Sequence, residues 1–181
     1  LDFFTPQGIQ WQHSVVQTRA LGKLINKPAA AETLIRQTYT QFAQQTKQLA
    51  AHAHRPYAIV QFIDARHMRV YGNNSLYGQT LQRLHLHNAW TAPTNAWGFS
   101  QIDLLQLSKL PANTRLIVVH PHPVNVAQQL NKSALWQRLP YKRPVNQVVL
   151  PAVWSFGALP SMQRFGNELT AALTGQKAGA W

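Results

Sequence analysis

Groups able to move protons or attack a carbonyl are few in this sequence: Asp64, Asp103, Glu168 and the serines Ser75, Ser100, Ser155 and Ser161. None sits in a pattern that reactive chemistry requires. There is no Gly-x-Ser-x-Gly turn to expose a nucleophile, no His-Glu-x-x-His pair for zinc and no glycine-rich loop to cradle a phosphate. Asp64-Ala65-Arg66, directly after an apolar run, reads as an ion pair that shapes a turn. The eight histidines include three alternating pairs, His52/His54, His85/His87 and His120/His122. A metal centre needs three or four suitable donors, and with no cysteine and five acids these pairs read as solvated loop residues. The expectation is a chain that is not an enzyme and holds no metal of its own.

What the loops do offer is indole. Trp90 lies in Asn88-Ala89-Trp90, Trp97 in Thr94-Asn95-Ala96-Trp97-Gly98, and Trp154 in Pro151-Ala152-Val153-Trp154-Ser155-Phe156-Gly157. A tryptophan ordinarily fills a core, because an indole buries much area. These three sit among Asn, Thr, Pro, Ser and Gly, the residues of turns, so the rings are expected to face a cleft and hold a ligand. Trp136, inside a helical stretch, reads as core.

The elements that must carry these rings follow from periodicity. Residues from about Gly8 to His54 are rich in helix formers and interrupted at Asn26-Lys27-Pro28, which predicts two helices or one kinked helix. Leu34, Ile35, Thr38, Phe42, Thr46 and Leu49 form one stripe at helical spacing. After Arg55-Pro56 the run Tyr57 to Ile63 has the continuous apolar character of a strand buried on both faces, and Met68 to Gly72 reads as a second strand. Asn73-Asn74-Ser75 reads as a turn and cap for a helix over Leu76 to Leu84. A strand over Arg115 to His120, a helix over Val124 to Trp136, a strand over Val145 to Leu150 and a helix over Leu159 to Leu173 complete the pattern. Strands alternating with helices predict an α/β three-layer sandwich with a mostly parallel sheet. Ligands of such sheets lie beyond the carboxyl ends of the strands, where Trp154 is expected to project.

At 181 residues, with 45% hydrophobic side chains, the chain suits one well-buried core and has no run of the length a membrane span needs. Seventeen Lys and Arg against five acids give +12, which favours an anionic partner. The charge is scattered, however, and Lys142-Arg143 is the only adjacent basic pair, so a nucleic-acid partner is not expected. The start on Leu1-Asp2-Phe3-Phe4, without a signal peptide's features, reads as a mature product or a fragment.

Several of these motifs occur together in one known family. Ile63 to Leu76, then Asn88-Ala89-Trp90, Asn95-Ala96-Trp97-Gly98, Leu135 to Pro140 and Pro151-Ala152-Val153-Trp154 resemble, in order, the periplasmic ferric hydroxamate siderophore-binding proteins of bacterial ABC importers. The resemblance covers roughly residues 8 to 174 and only the second half of such proteins. It implies a class III substrate-binding protein, with residues 1–55 as the end of an N-terminal lobe and the long connecting helix, and 56–181 as the C-terminal α/β lobe. It implies that Trp97 and Trp154 line the siderophore site, with Trp90 as a neighbouring aromatic and Asn95 as a polar residue near the ligand. Phe156 falls where the best-known relative has a tyrosine, so a hydroxyl contact is lost. Asp103 lies near the acid by which the family's C-terminal lobe docks on the permease, although an aspartate there equally serves its own helix.

The expected role is therefore capture of a ferric siderophore in the periplasm and delivery to an inner-membrane ABC permease, shared with an N-terminal lobe. The expected ligand is the ferric hydroxamate itself, with no covalently bound cofactor. Two other readings stay open at this point: a lobe of the same fold for another iron chelate, haem or cobalamin, and a basic nucleic-acid-binding α/β domain.

Overall fold

Strand facing decides the layers. In the computed structural model, which describes residues 1–176 and 181, the sheet contains β1 (Pro56–Phe62), β2 (His67–Tyr71), β3 (His87–Asn88), β4 (Phe99–Asp103), β5 (Arg115–Val119) and β6 (Gln147–Leu150). The order is β4-β2-β1-β5-β6, with the short β3 beside the start of β1. β1, β5 and β6 run parallel, in the register Ile59 to Ile117 to Val148. β2 returns antiparallel on β1, since only four residues separate the two and a parallel crossover needs a dozen or more. β4 then pairs antiparallel with β2. The mostly parallel three-layer sandwich is the architecture found, with an antiparallel flank.

Alternate side chains enter two separate cores. Tyr57, Ile59, Tyr71, Ile117, Val119, Val148 and Leu150 point to one side, where they meet α1 (Trp11–Leu24), α2 (Pro28–Gln48), α3 (Leu76–Arg83) and α7 (Ala158–Leu173). Ala58, Val60, Phe62, Met68, Val70, Leu116, Val118 and Val149 point to the other, covered by α4 (Leu104–Leu107), α5 (Val126–Lys132) and α6 (Ala134–Arg138). Trp136 belongs to this second core at 3% exposure, as its helical setting predicts.

The first two helices are joined by a turn in which Asn26 is left-handed and Pro28 opens α2. They share the first core: Trp11 packs on Tyr39 and Phe42, while Ile35, Phe42 and Leu49 continue the predicted stripe. α2 is tied to α7 by amides, with Gln41 Nε2 donating to the Gln163 carbonyl and Gln45 Nε2 to Asn167 Oδ1, both at 2.8 Å. Among the described residues no helix is long and apolar enough to cross a membrane.

Several elements differ from the sequence reading, the short β3 and α4, which it does not contain, among them. The stretch from Val124 to Trp136 is two short helices, because Ser133 is extended and its hydroxyl accepts from the Trp136 N–H as a new cap. β6 starts at Gln147, after a 3₁₀ turn over Pro144–Asn146. Phe99–Asp103 is a strand although it shows no apolar run: it is an edge strand in which Ile102 alone is fully buried.

The turn that enters α3 is closely packed on backbone. Ser75 Oγ accepts from the Gly78 N–H at 2.9 Å and donates to the Gly72 carbonyl at 2.7 Å. A Cβ at Gly78 would overlap the Gly72 carbonyl oxygen and crowd Asn73 Cα at 2.7 Å, both backbone. Gly78→Ala would gain about 1 kcal/mol in helix propensity, yet overpacking against rigid backbone costs more. A net loss of roughly 2 kcal/mol is expected, read as a lower urea midpoint at unchanged slope.

Candidate functional site

Trp97 is presented by a turn that an amide holds open. Asn95 Oδ1 accepts from the N–H groups of Trp97 (3.0 Å) and Phe99 (3.2 Å), and the Asn95 carbonyl accepts from Gly98 N at 2.9 Å. Gly98 closes the turn at φ +81, a conformation that side chains disfavour. The turn is docked on the α3 turn: Gly72 N donates to the Gly98 carbonyl, Asn74 Nδ2 to the Asn95 carbonyl, and the Thr94 hydroxyl to Asn74 Oδ1. The indole of Trp97 is 54% exposed.

Trp154 lies four residues beyond the end of β6, past the carboxyl end of a parallel strand as expected. Its segment is anchored by Val153, whose side chain enters the first core and whose carbonyl accepts from the buried Tyr77 hydroxyl. Burial pushes the Tyr77 phenol well above its ordinary value, which keeps it a neutral donor. Trp154 itself is 70% exposed.

β6 and β4 are opposite edges of the sheet, yet the segment after β6 reaches the Trp97 turn. Phe156 meets Trp97 edge to face, with ring centroids 5.5 Å apart at 88°. A third ring joins them: Phe4 lies 5.7 Å from Trp97 and 5.4 Å from Phe156. Phe4 was not singled out in the sequence. Its placement follows from Ile9 N, which donates to the Asn74 carbonyl and pins the N-terminal segment to the same α3 turn. The only local signal is the glycine at Gly8, where a Cβ would overlap the Asn74 carbonyl oxygen.

The remaining residues of interest are placed elsewhere. Trp90 packs against the second core, on the opposite side of the sheet from the Phe4, Trp97 and Phe156 rings, and its Nε1 is buried with no acceptor among the described residues. Asp103 ends β4 and caps α4: its carboxylate accepts from Gln106 N at 2.8 Å, and Gln106 Oε1 accepts from Asp103 N at 3.1 Å. Asp64 shapes its turn as expected, but through other partners than Arg66's guanidinium. Its Oδ1 accepts from the N–H groups of Arg66 and His67 at 2.6 and 2.7 Å, and the His67 ring holds the carboxyl below its usual range. His120 and His122 stack with centroids 4.1 Å apart, and His122 is half-buried, more than a solvated loop pair.

Two of the hydroxyls are likewise engaged in structure: Ser75 caps α3 and Ser100 donates to the Pro93 carbonyl. What the three packed rings can do, with Trp154 exposed two residues before Phe156, is offer apolar area with few rotors to freeze.

No family model matches the chain. Over 157 residues it is 32% identical to the iron(3+)-hydroxamate-binding protein FhuD of Escherichia coli (strain K12), matching 86% of this chain and 52% of that protein. In structure it resembles FhuD from Vibrio cholerae, solved with bound Fe3+-Desferal, at a TM-score of 0.84 and 22% identity over 94% of this chain and 64% of that one. It also resembles the periplasmic catecholate-siderophore binding protein VctP of Vibrio cholerae, at 0.65 and 17% over 96% and 63%. The chain spans about half the length of the curated relative, a coverage that a C-terminal half fits.

Because Asn95 spends its amide oxygen on two backbone donors, Asn95→Ala is expected to cost about 1 kcal/mol of stability. Asn95→Asp keeps the acceptor and should cost a few tenths; urea unfolding of both variants measures the difference.

Proposed function

We propose that this chain, which resembles the C-terminal half of FhuD-type siderophore-binding proteins in sequence and fold, is the C-terminal lobe of the substrate-binding component of a ferric hydroxamate importer. The observation that carries the reading is the pair of exposed indoles, Trp97 and Trp154, on anchored segments, with Phe156 and Phe4 packed against Trp97. A ferric trihydroxamate satisfies its iron with its own oxygens, so the protein meets a bulky, partly apolar shell and needs no metal ligands. Flat rings on fixed turns suit that shell, and the role is binding rather than catalysis.

In this reading residues 1–55 are the end of an N-terminal lobe and the connecting helix, and 56–181 the siderophore-binding lobe. The other lobe supplies the remaining contacts, and the protein works in the periplasm, handing its cargo to an inner-membrane permease. Asp103 is the docking acid of this lobe. Its side chain is partly exposed at the end of an edge strand, and capping a four-residue helix leaves its second oxygen open to an arginine. Trp90 supports the strand ends from beneath rather than touching ligand, and Asn95 acts through the turn it builds. With Phe156 in place of a tyrosine, orientation of the siderophore rests on shape.

Trp97→Ala and Trp154→Ala, made in the two-lobed protein, should each weaken ferric hydroxamate binding by about 1 to 3 kcal/mol, with unfolding unchanged. Titrations with a ferric catecholate, haem and duplex DNA run in parallel. Tighter binding of the catecholate or haem would move the assignment to another chelate, and strongly salt-dependent DNA affinity would replace it with nucleic-acid binding.

A further inference from the structure

The N-terminal ends of the parallel strands carry a cationic cluster that the siderophore reading does not use. Arg55, just before β1, is fixed by two neutral acceptors: its Nε donates to the Asn113 carbonyl at 2.9 Å and an Nη to Asn146 Oδ1 at 3.0 Å. Arg115, the first residue of β5, pairs in register with Tyr57, and the Tyr57 hydroxyl donates to the His52 carbonyl at 2.9 Å. Strand register and that hydrogen bond therefore place Arg115 and His52 each beside Tyr57. Arg115 Nε is buried, with no acceptor among the described residues. His54 adjoins, and the turns that carry Lys142 and Arg143 lead into Asn146, whose N–H donates to the Arg143 carbonyl at 2.9 Å.

Among the described residues no carboxylate figures in the electrostatic surroundings of His52 or Arg115. Glu32 is bridged to Arg19, Asp64 to His67, and Asp103 caps α4. His52 is held below its ordinary value by burial and then by the neighbouring Arg115 and His54 charges. Burial likewise disfavours the charged form of Arg115, and Arg55 adds to that. Cations placed side by side, tethered by neutral groups and left with a buried donor unused, are preorganised for an anion. Guanidinium forks match the paired oxygens of a tetrahedral oxyanion, and two of them beside an imidazole match its double charge.

We infer that the end of the sheet where β1, β5 and β6 begin is a binding site for a phosphate group, free or on a lipid headgroup, held by Arg55 and Arg115 with His52 beside them. This site is separate from the aromatic surface and stands whether or not that surface takes a siderophore.

The test titrates the chain with inorganic phosphate at constant ionic strength, against chloride, following the His52 ring by NMR. Wild type should saturate, and phosphate should move the His52 titration to higher pH, since a bound anion stabilises the imidazolium. The double variant R55Q/R115Q keeps chain length and loses both forks; it should bind phosphate at least about tenfold more weakly. R115K, which keeps the charge, should retain most of the His52 shift, and circular dichroism checks that each variant is folded. Sedimentation with phosphatidylglycerol and phosphatidylcholine vesicles separates the sources. Binding to the former that free phosphate competes away identifies a headgroup, and phosphate saturation without vesicle binding identifies the free anion. A His52 titration that phosphate leaves at its chloride position, or that shifts equally in folded R55Q/R115Q, overturns the proposal.

Discussion

The aromatic surface depends on one residue that contributes no ring to it. Asn74 uses three groups on two segments: its carbonyl accepts from Ile9, its amide nitrogen donates to the Asn95 carbonyl, and its amide oxygen accepts from Thr94. The N-terminal segment carrying Phe4 and the turn carrying Trp97 are thereby fastened to the same α3 turn, although more than sixty residues separate Ile9 from Asn74 in sequence. Gly8 and Gly98 are the concessions that let backbones approach so closely, both with positive φ and both pressed on this turn. Such a clamp is worth only a few kcal/mol, but it decides whether the rings form one surface or three loose side chains.

A second constraint keeps those rings available. The sheet is buried on both faces, with Tyr57, Ile59, Ile117 and Leu150 in one core and Val60, Val118 and Val149 in the other. The large aromatics Trp11, Tyr77, Phe165 and Trp136 complete these cores, which leaves Trp97 and Trp154 outside them. Covering an exposed indole returns about 25 cal/mol for each Å² of apolar area removed from water, so each ring holds in reserve a contribution of roughly 2 kcal/mol. Because both rings are anchored through backbone or through Val153, little entropy is lost when they are covered.

Sequence patterning was sufficient for the elements that bury continuous runs, β1 and β5, and for the amphipathic stripe of α2. The exposed setting of Trp97 and Trp154 was likewise readable, because turn-forming neighbours surround each ring. β4 escaped notice because an edge strand with one buried residue has no apolar run, and the break at Ser133 because one serine cap outweighs a good helical pattern. Trp90 was grouped with the other two on local composition, which cannot tell one face of a sheet from the other. Phe4 and Asn74 were invisible as site residues for a different reason: their roles arise from contacts across 20 to 152 positions, and no local spacing encodes them. The same holds for Arg55 and Arg115, which look like two members of a scattered charge excess until strand register sets Arg115 beside Tyr57, two residues after Arg55.

The central claim, that the exposed indoles form a siderophore surface, is tested most directly by paramagnetic broadening of indole N–H signals. A ferric hydroxamate is titrated into the protein, and its diamagnetic gallium analogue serves as control. The account predicts that the Trp97 and Trp154 signals vanish first while that of Trp136, in the far core, persists. Selective loss of the Trp136 or Trp11 signal, with Trp97 and Trp154 unaffected, would contradict it.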